Sequence, residues 1–149
     1  MNVLIIEDGY EYEQTLGRFL PEVTWTRAGH GRAGLKALDE GAFDAVFLDM
    51  RFDRIADEEL LGDVAAVADR FNGDPVQARA FLQDHQGVFI LDALRKGGHA
   101  LPVVVSYDFS GEPRRWERLR AQHAPVTYLA DVAGPDEVRR ALQAHSDAR

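Results

Sequence analysis

Short uninterrupted apolar runs alternate with stretches in which apolar residues recur at helical spacing, and this alternation continues along the whole chain. Residues 3–7 (VLIIE) read as a strand covered on both faces. Asp8-Gly9 breaks that run. Tyr12, Leu16, Phe19 and Leu20 then share one face of a helix over 10–20, which Pro21 ends. Residues 23–26 alternate apolar with polar, as an edge strand with one solvated face does. A second helix over 30–40 carries Ala33, Leu35, Ala37 and Leu38 and is expected to stop at a left-handed Gly41. The run 43–49 (FDAVFLD) is the next buried strand, and it ends on an acid. Further on, the pattern predicts a helix over 88–96, a strand over 101–106 (LPVVVS), a helix over 112–123, a strand over 125–130 (PVTYLA) and a last helix over 135–145 with Pro in its first turn.

Five strands alternating with five helices predict an α/β fold, a doubly wound five-stranded parallel sheet in the order 2-1-3-4-5. Strands 1 and 3 are then neighbours. Their carboxyl ends bring Glu7, Asp8 and Asp49 to one rim, where like charges in a small volume call for a cation. Residues 51–86 exceed what a minimal five-unit fold needs. Leu60, Leu61, Val64, Val67 and Phe71 predict one helix over 57–71, and Asp74-Pro75 with Gln77 predicts the capped start of a second. An ordered helical hairpin inserted into a single domain over 1–149 is the resulting expectation. The insertion holds eight acids against four arginines, a net −4 that is half of the whole chain's −8.

Composition narrows the function. A chain of 149 residues that is 46% hydrophobic suits one domain with a real core. Its net charge of −8 argues against direct binding to nucleic acid or to anionic lipid. Without cysteine there are no disulfides and no thiolate metal ligands, and the start MNVLIIED lacks the marks of a signal peptide. No apolar run approaches the roughly 20 residues that span a bilayer, so a cytoplasmic protein with no membrane partner is expected. His30, His85, His99, His123 and His145 show no metal-ligand spacing and read as surface or capping residues.

In their order along the chain these elements resemble the receiver domain of bacterial response regulators, a flavodoxin-like fold used in two-component phosphorelay signalling. The resemblance covers nearly everything outside the insertion. It implies that Glu7 and Asp8 form the acid pair that holds Mg²⁺, that Asp49 is the phosphoacceptor, that Ser106 contacts the phosphoryl group, and that Tyr128 is the aromatic switch. It also implies that Asp8 and Asp49 bind the ion directly, Glu7 through water, and the backbone carbonyl of Arg51 completes the protein's share. Hard oxygen ligands of this kind suit Mg²⁺.

Three positions depart from the family. Asp131 stands where the family has a phosphate-contacting Lys, and two unit charges at 4 Å interact by about 4 kcal/mol at an effective dielectric near 20. Rotation of Asp131 into solvent, or Arg51 or Arg54 reaching back over the site, would offset that repulsion. Tyr107 replaces a small residue after the hydroxyl position and offers a ring to cover the acceptor. The insertion displaces the turn after the acceptor strand. The expected function is a stand-alone response-regulator receiver, not an enzyme, since no output domain follows Arg149. Its partners would be a sensor histidine kinase or phosphotransfer protein and a downstream protein, with a homodimer through the last helix and fifth strand left open. The alternative is a pseudo-receiver whose surface is constitutive or set by a partner. A Mg²⁺-dependent phosphatase is the third reading, weakened by Arg51 where a second acid-base group would stand.

Overall fold

The computed structural model describes residues 1–130 and 133–147. Its centre is a five-stranded sheet of β1 (Asn2–Ile6), β2 (Thr24–Ala28), β3 (Ala45–Asp49), β4 (Val103–Ser106) and β5 (Val126–Leu129). The order is β2-β1-β3-β4-β5 and every pairing is parallel, as the alternation of runs predicts. Register places Ile6 beside Leu48 and Asp49 beside Ser106, so the carboxyl ends of the three central strands form one rim.

Successive residues of a strand point to opposite faces, and here each face meets its own helices. Leu4, Ile6, Val46, Leu48, Val103 and Val105 pack with Leu38, Ile90, Leu94 and Leu119 from α2 (Gly31–Glu40), α5 (Gln86–Lys96) and α6 (Pro113–His123). Val3, Ile5, Ala45, Phe47 and Val104 pack with Leu16, Val138 and Leu142 from α1 (Glu11–Phe19) and α7 (Pro135–Asp147). Covering both faces explains the unbroken apolar runs of the central strands. Each fully buried Leu, Ile or Phe contributes about 1.5–3 kcal/mol.

His30 caps α2, its Nδ1 accepting from the Ala33 amide at 3.2 Å. Gly41 does not adopt the expected left-handed conformation. Its φ of −130° and ψ of 171° send the chain straight out in extended form, with the ring of Phe43 packed beside it.

Between β3 and α5 the chain forms α3 (Val64–Ala68) and α4 (Pro75–Asp84), which share a small core of Val67, Ala68, Ala78 and Leu82 with Phe71, Phe81 and Phe89 around it. Asp74 caps α4 as its sequence predicts, accepting from the amides of Val76 and Gln77. The single helix expected over 57–71 is instead a 3-10 turn (Asp57–Glu59), an extended link, α3 and a second 3-10 turn (Asp69–Phe71). Gly62 at φ 105° breaks the helix, and Asp63 restarts it by capping the amides of Ala65 and Ala66. The apolar stripe therefore serves two cores: Leu61 packs with the main sheet, while Val64, Val67 and Phe71 pack with α4.

Two features join this segment to the rim. Gly87 lies so close to β3 that a Cβ there would stand 2.6 Å from the carbonyl oxygen of Asp49, and its amide donates to the Met50 carbonyl at 2.9 Å. Gln86, fully buried, accepts from the Leu61 amide at 2.7 Å and donates to the carbonyls of Leu61 and Leu82 at 3.1 and 3.0 Å. Replacing it leaves buried backbone groups without partners, which costs about 1–3 kcal/mol. Gln86→Ala is accordingly expected to lower the unfolding free energy by about 2 kcal/mol, measured as a reduced midpoint in urea denaturation.

Candidate functional site

The rim gathers its acids from the ends of β1 and β3, and each acid meets a different environment. Glu7 is 1% exposed, and its carboxylate accepts from the amides of Tyr12 (3.1 Å) and Glu13 (2.8 Å). It thus caps α1, whose own first residue offers no side-chain cap. Burial pushes the Glu7 carboxyl up, and those two amides, followed by Arg27, pull against it. Arg27 braces the turn after β1 by donating to the carbonyls of Gly9 (2.6 Å) and Glu7 (3.2 Å), with its guanidinium over the ring of Tyr10.

Asp8 has a side chain only 2% exposed and is held on both oxygens. Its Oδ2 accepts from the amides of Asp53 and Arg54, each at 3.1 Å, and its Oδ1 accepts from the Arg54 guanidinium at 3.2 Å. The same guanidinium forks onto Glu11 at 2.8 and 3.2 Å. Those bonds hold the Glu11 carboxyl down at about 2 and push Arg54 up. Among the described residues Asp49, by contrast, accepts one hydrogen bond, from the Met50 amide at 2.8 Å. Burial first, and then the charges of Asp8 and Glu7, raise its carboxyl to about 7 against the pull of the Met50 amide and Arg54. Asp8 and Glu7 thus both bear on Asp49. Among the described residues no group of three or more His, Asp or Glu forms a metal-binding constellation. Of the three acids, Glu7 gives both of its carboxylate oxygens to the amides of α1.

Ser106 is buried beside Asp49, and its hydroxyl shares a 2.7 Å hydrogen bond with the Tyr12 hydroxyl. A cavity of about 400 Å³ opens next to these groups, walled by Tyr12, Leu16, Phe47, Leu129, Val138 and the Arg54 side chain. Tyr107 does not line it. Its hydroxyl donates to Glu112, which also accepts from Arg115 at 3.1 Å, and Arg115 reaches His85 at the α4–α5 joint at 2.8 Å. Tyr128 sits among aromatic rings, with centroids 4.8 Å from Trp116 and 5.4 Å from Phe109. Arg51 turns its guanidinium to Asp53 and Asp84, at 3.3 Å from each. Asp131 lies outside the described residues.

Neither a protein-family model nor a curated protein matches the sequence. Solved structures do match. The receiver domain of the Francisella response regulator 1452 aligns at 16% identity over 99% of this chain and 98% of that one, with a TM-score of 0.66. The chemotaxis response regulator CheY4 of Vibrio cholerae aligns at 16% identity over 97% of each chain, TM-score 0.64. The response regulator TrrA of Thermotoga maritima, solved in complex with Mg²⁺-BeF, aligns at 16% identity over 97% of each chain, TM-score 0.59. The fold is that of a response-regulator receiver domain.

Within the receiver fold the donor set suits Mg²⁺ in its essentials. Asp8 and Asp49 offer hard carboxylate oxygens, and an ion of this kind needs only one or two of them beside water and phosphate oxygens. Burial disfavours the ionised form of Asp49, and a cation beside it would favour that form. The capping role of Glu7 and the Tyr12–Ser106 bond escaped the sequence reading. The missing cap residue before α1 was the one available signal for Glu7. Of Arg51 and Arg54, either of which could reach back over the site, it is Arg54 that contacts Asp8, while Arg51 pairs with Asp53 and Asp84.

The Asp49 carboxyl, raised in the folded chain above its unfolded value, binds its proton more tightly when folded. Stability from this group is present at low pH and declines as pH rises from the ordinary carboxylate range through about 7. Asp49→Asn removes that decline. Without Mg²⁺, the variant is expected to exceed the wild type by on the order of 2 kcal/mol at pH 8 and by much less at pH 4, measured by urea denaturation at both values.

Proposed function

We propose that the chain is a signalling receiver that works by binding other proteins, and that Asp49 is its phosphoacceptor. What supports this most is the placement of Asp49 at one rim of a 2-1-3-4-5 sheet, beside Ser106 on one neighbouring strand and within the field of Asp8, which lies just past the end of the other. In this reading an ionised Asp49 oxygen attacks the phosphorus of a donor, either a phosphohistidine of a sensor kinase or of a phosphotransfer protein, and the bond from phosphorus to the leaving nitrogen breaks. Mg²⁺, when bound, neutralises charge on the group in transit. Positioning does the rest: Asp8 and Asp49 hold the ion, and Ser106 donates its hydroxyl to the phosphoryl group after giving up Tyr12. Tyr128, Trp116 and Phe109 form the packed element whose rearrangement reports the change, as a shift between two pre-existing states. The site is one of signalling rather than turnover, and a cytoplasmic location accompanies it.

A second reading has an observation of its own. Arg54 neutralises Asp8, and Tyr12 occupies the Ser106 hydroxyl, so the rim is closed without a phosphoryl group. A pseudo-receiver would keep these contacts permanently and signal through a fixed surface.

Incubation with Mg²⁺ and acetyl phosphate distinguishes them. The first reading expects intact mass to rise by one phosphoryl group, with loss of the adduct in Asp49→Asn and a change in Trp fluorescence. Unchanged mass and fluorescence over hours would leave the pseudo-receiver.

A further inference from the structure

The segment after β3 brings a cation of its own to the rim. Arg54 reaches Asp8 from the far side of the turn after β1, and both ends of its guanidinium are anchored: Nη2 on Asp8 at 3.2 Å, Nη1 on Glu11 at 2.8 Å. The contact is built into the backbone. Amides of Asp53 and Arg54 hold Asp8 Oδ2, which fixes the carboxylate and leaves Oδ1 as the atom turned to the guanidinium. Gly9 makes room, since a Cβ there would fall on the Arg54 guanidinium and the Glu11 carboxylate. Asp8 is nearly sealed from water while half of the Arg54 side chain is exposed. The pair is thus a buried anion served by a removable lid.

We propose that Arg54 is a tethered counter-ion that competes with a divalent cation for Oδ1 of Asp8. The inference rests on the reading of Asp8 and Asp49 as the cation's ligands, and is independent of whether Asp49 is phosphorylated. An entering ion takes Oδ1 only when Arg54 leaves it. Glu11 gives the departing guanidinium a place to remain, so the exchange is a short swing rather than a release. In the absence of the ion Arg54 keeps the rim from carrying an unbalanced buried charge. Divalent affinity is therefore set by an arginine outside the ligand set.

The test is a Mg²⁺ titration of the full chain, followed through the backbone amide resonances of positions 50, 53 and 54 and by calorimetry. Losing one charge-assisted contact corresponds to about a tenfold change in affinity, and Arg54→Gln is expected to bind Mg²⁺ about that much more tightly than the wild type. Gly9→Ala, which crowds the guanidinium while keeping its charge, should move affinity in the same direction by a smaller factor. Arg70→Gln removes a charge of the same sign elsewhere in the segment and should leave affinity within about twofold. Equal gains in Arg54→Gln and Arg70→Gln, or unchanged or weaker binding in Arg54→Gln, would overturn the proposal. Absence of saturable binding in every variant would overturn it together with the Mg²⁺ assignment. Tighter binding in Arg54→Gln without acetyl-phosphate labelling would support it and remove only the phosphoacceptor reading.

Discussion

Carboxylates taken out of water at the ends of parallel strands must be compensated, and the rim of this protein is organised by how unevenly that is done. Glu7 receives two amides of α1, and Asp8 receives two amides and a guanidinium. Asp49 receives the Met50 amide alone among the described residues. A buried group left that way resists ionisation, and burial pushes its carboxyl up to about 7. The difference sorts the three acids into roles: Glu7 stabilises a helix, Asp8 is a balanced anion, and Asp49 is the group whose charge remains to be met.

The segment between β3 and α5 gains meaning from the same constraint. It supplies the amides and arginine that hold Asp8, and it is fastened at its far end by Gln86 and at the His85 joint by Arg115. Through Arg115 and Glu112 it also touches Tyr107, the residue after Ser106. The segment is therefore bonded to both sides of the rim, and α3 and α4 share a small core of Val67, Ala78 and Leu82.

Much of the fold was legible because its central strands are covered twice. Runs such as VLII and AVFL read without ambiguity, and their alternation with helical spacing led directly to the strand order. The 57–71 region misled because Leu60, Leu61, Val64, Val67 and Phe71 keep helical spacing across a break set by one glycine's backbone. Spacing records which residues are buried, not which core receives them. At the site, the positions of Asp8, Asp49 and Ser106 followed from strand ends, whereas side-chain direction did not. Glu7 and Asp8 are adjacent in sequence, yet one faces a helix start and the other an arginine brought from 46 positions away. The Tyr107 ring, which the sequence offers as a cover for the acceptor, has its hydroxyl bonded to Glu112, the acid just before α6.

Asp49 carries a buried, under-compensated carboxyl within the field of Asp8. Carbon-13 NMR titration of its side-chain carboxyl tests this directly. The account predicts a midpoint near 7 without divalent cation, moving to lower pH when Mg²⁺ is added. A midpoint in the ordinary carboxylate range, about 4, unmoved by Mg²⁺, would contradict it.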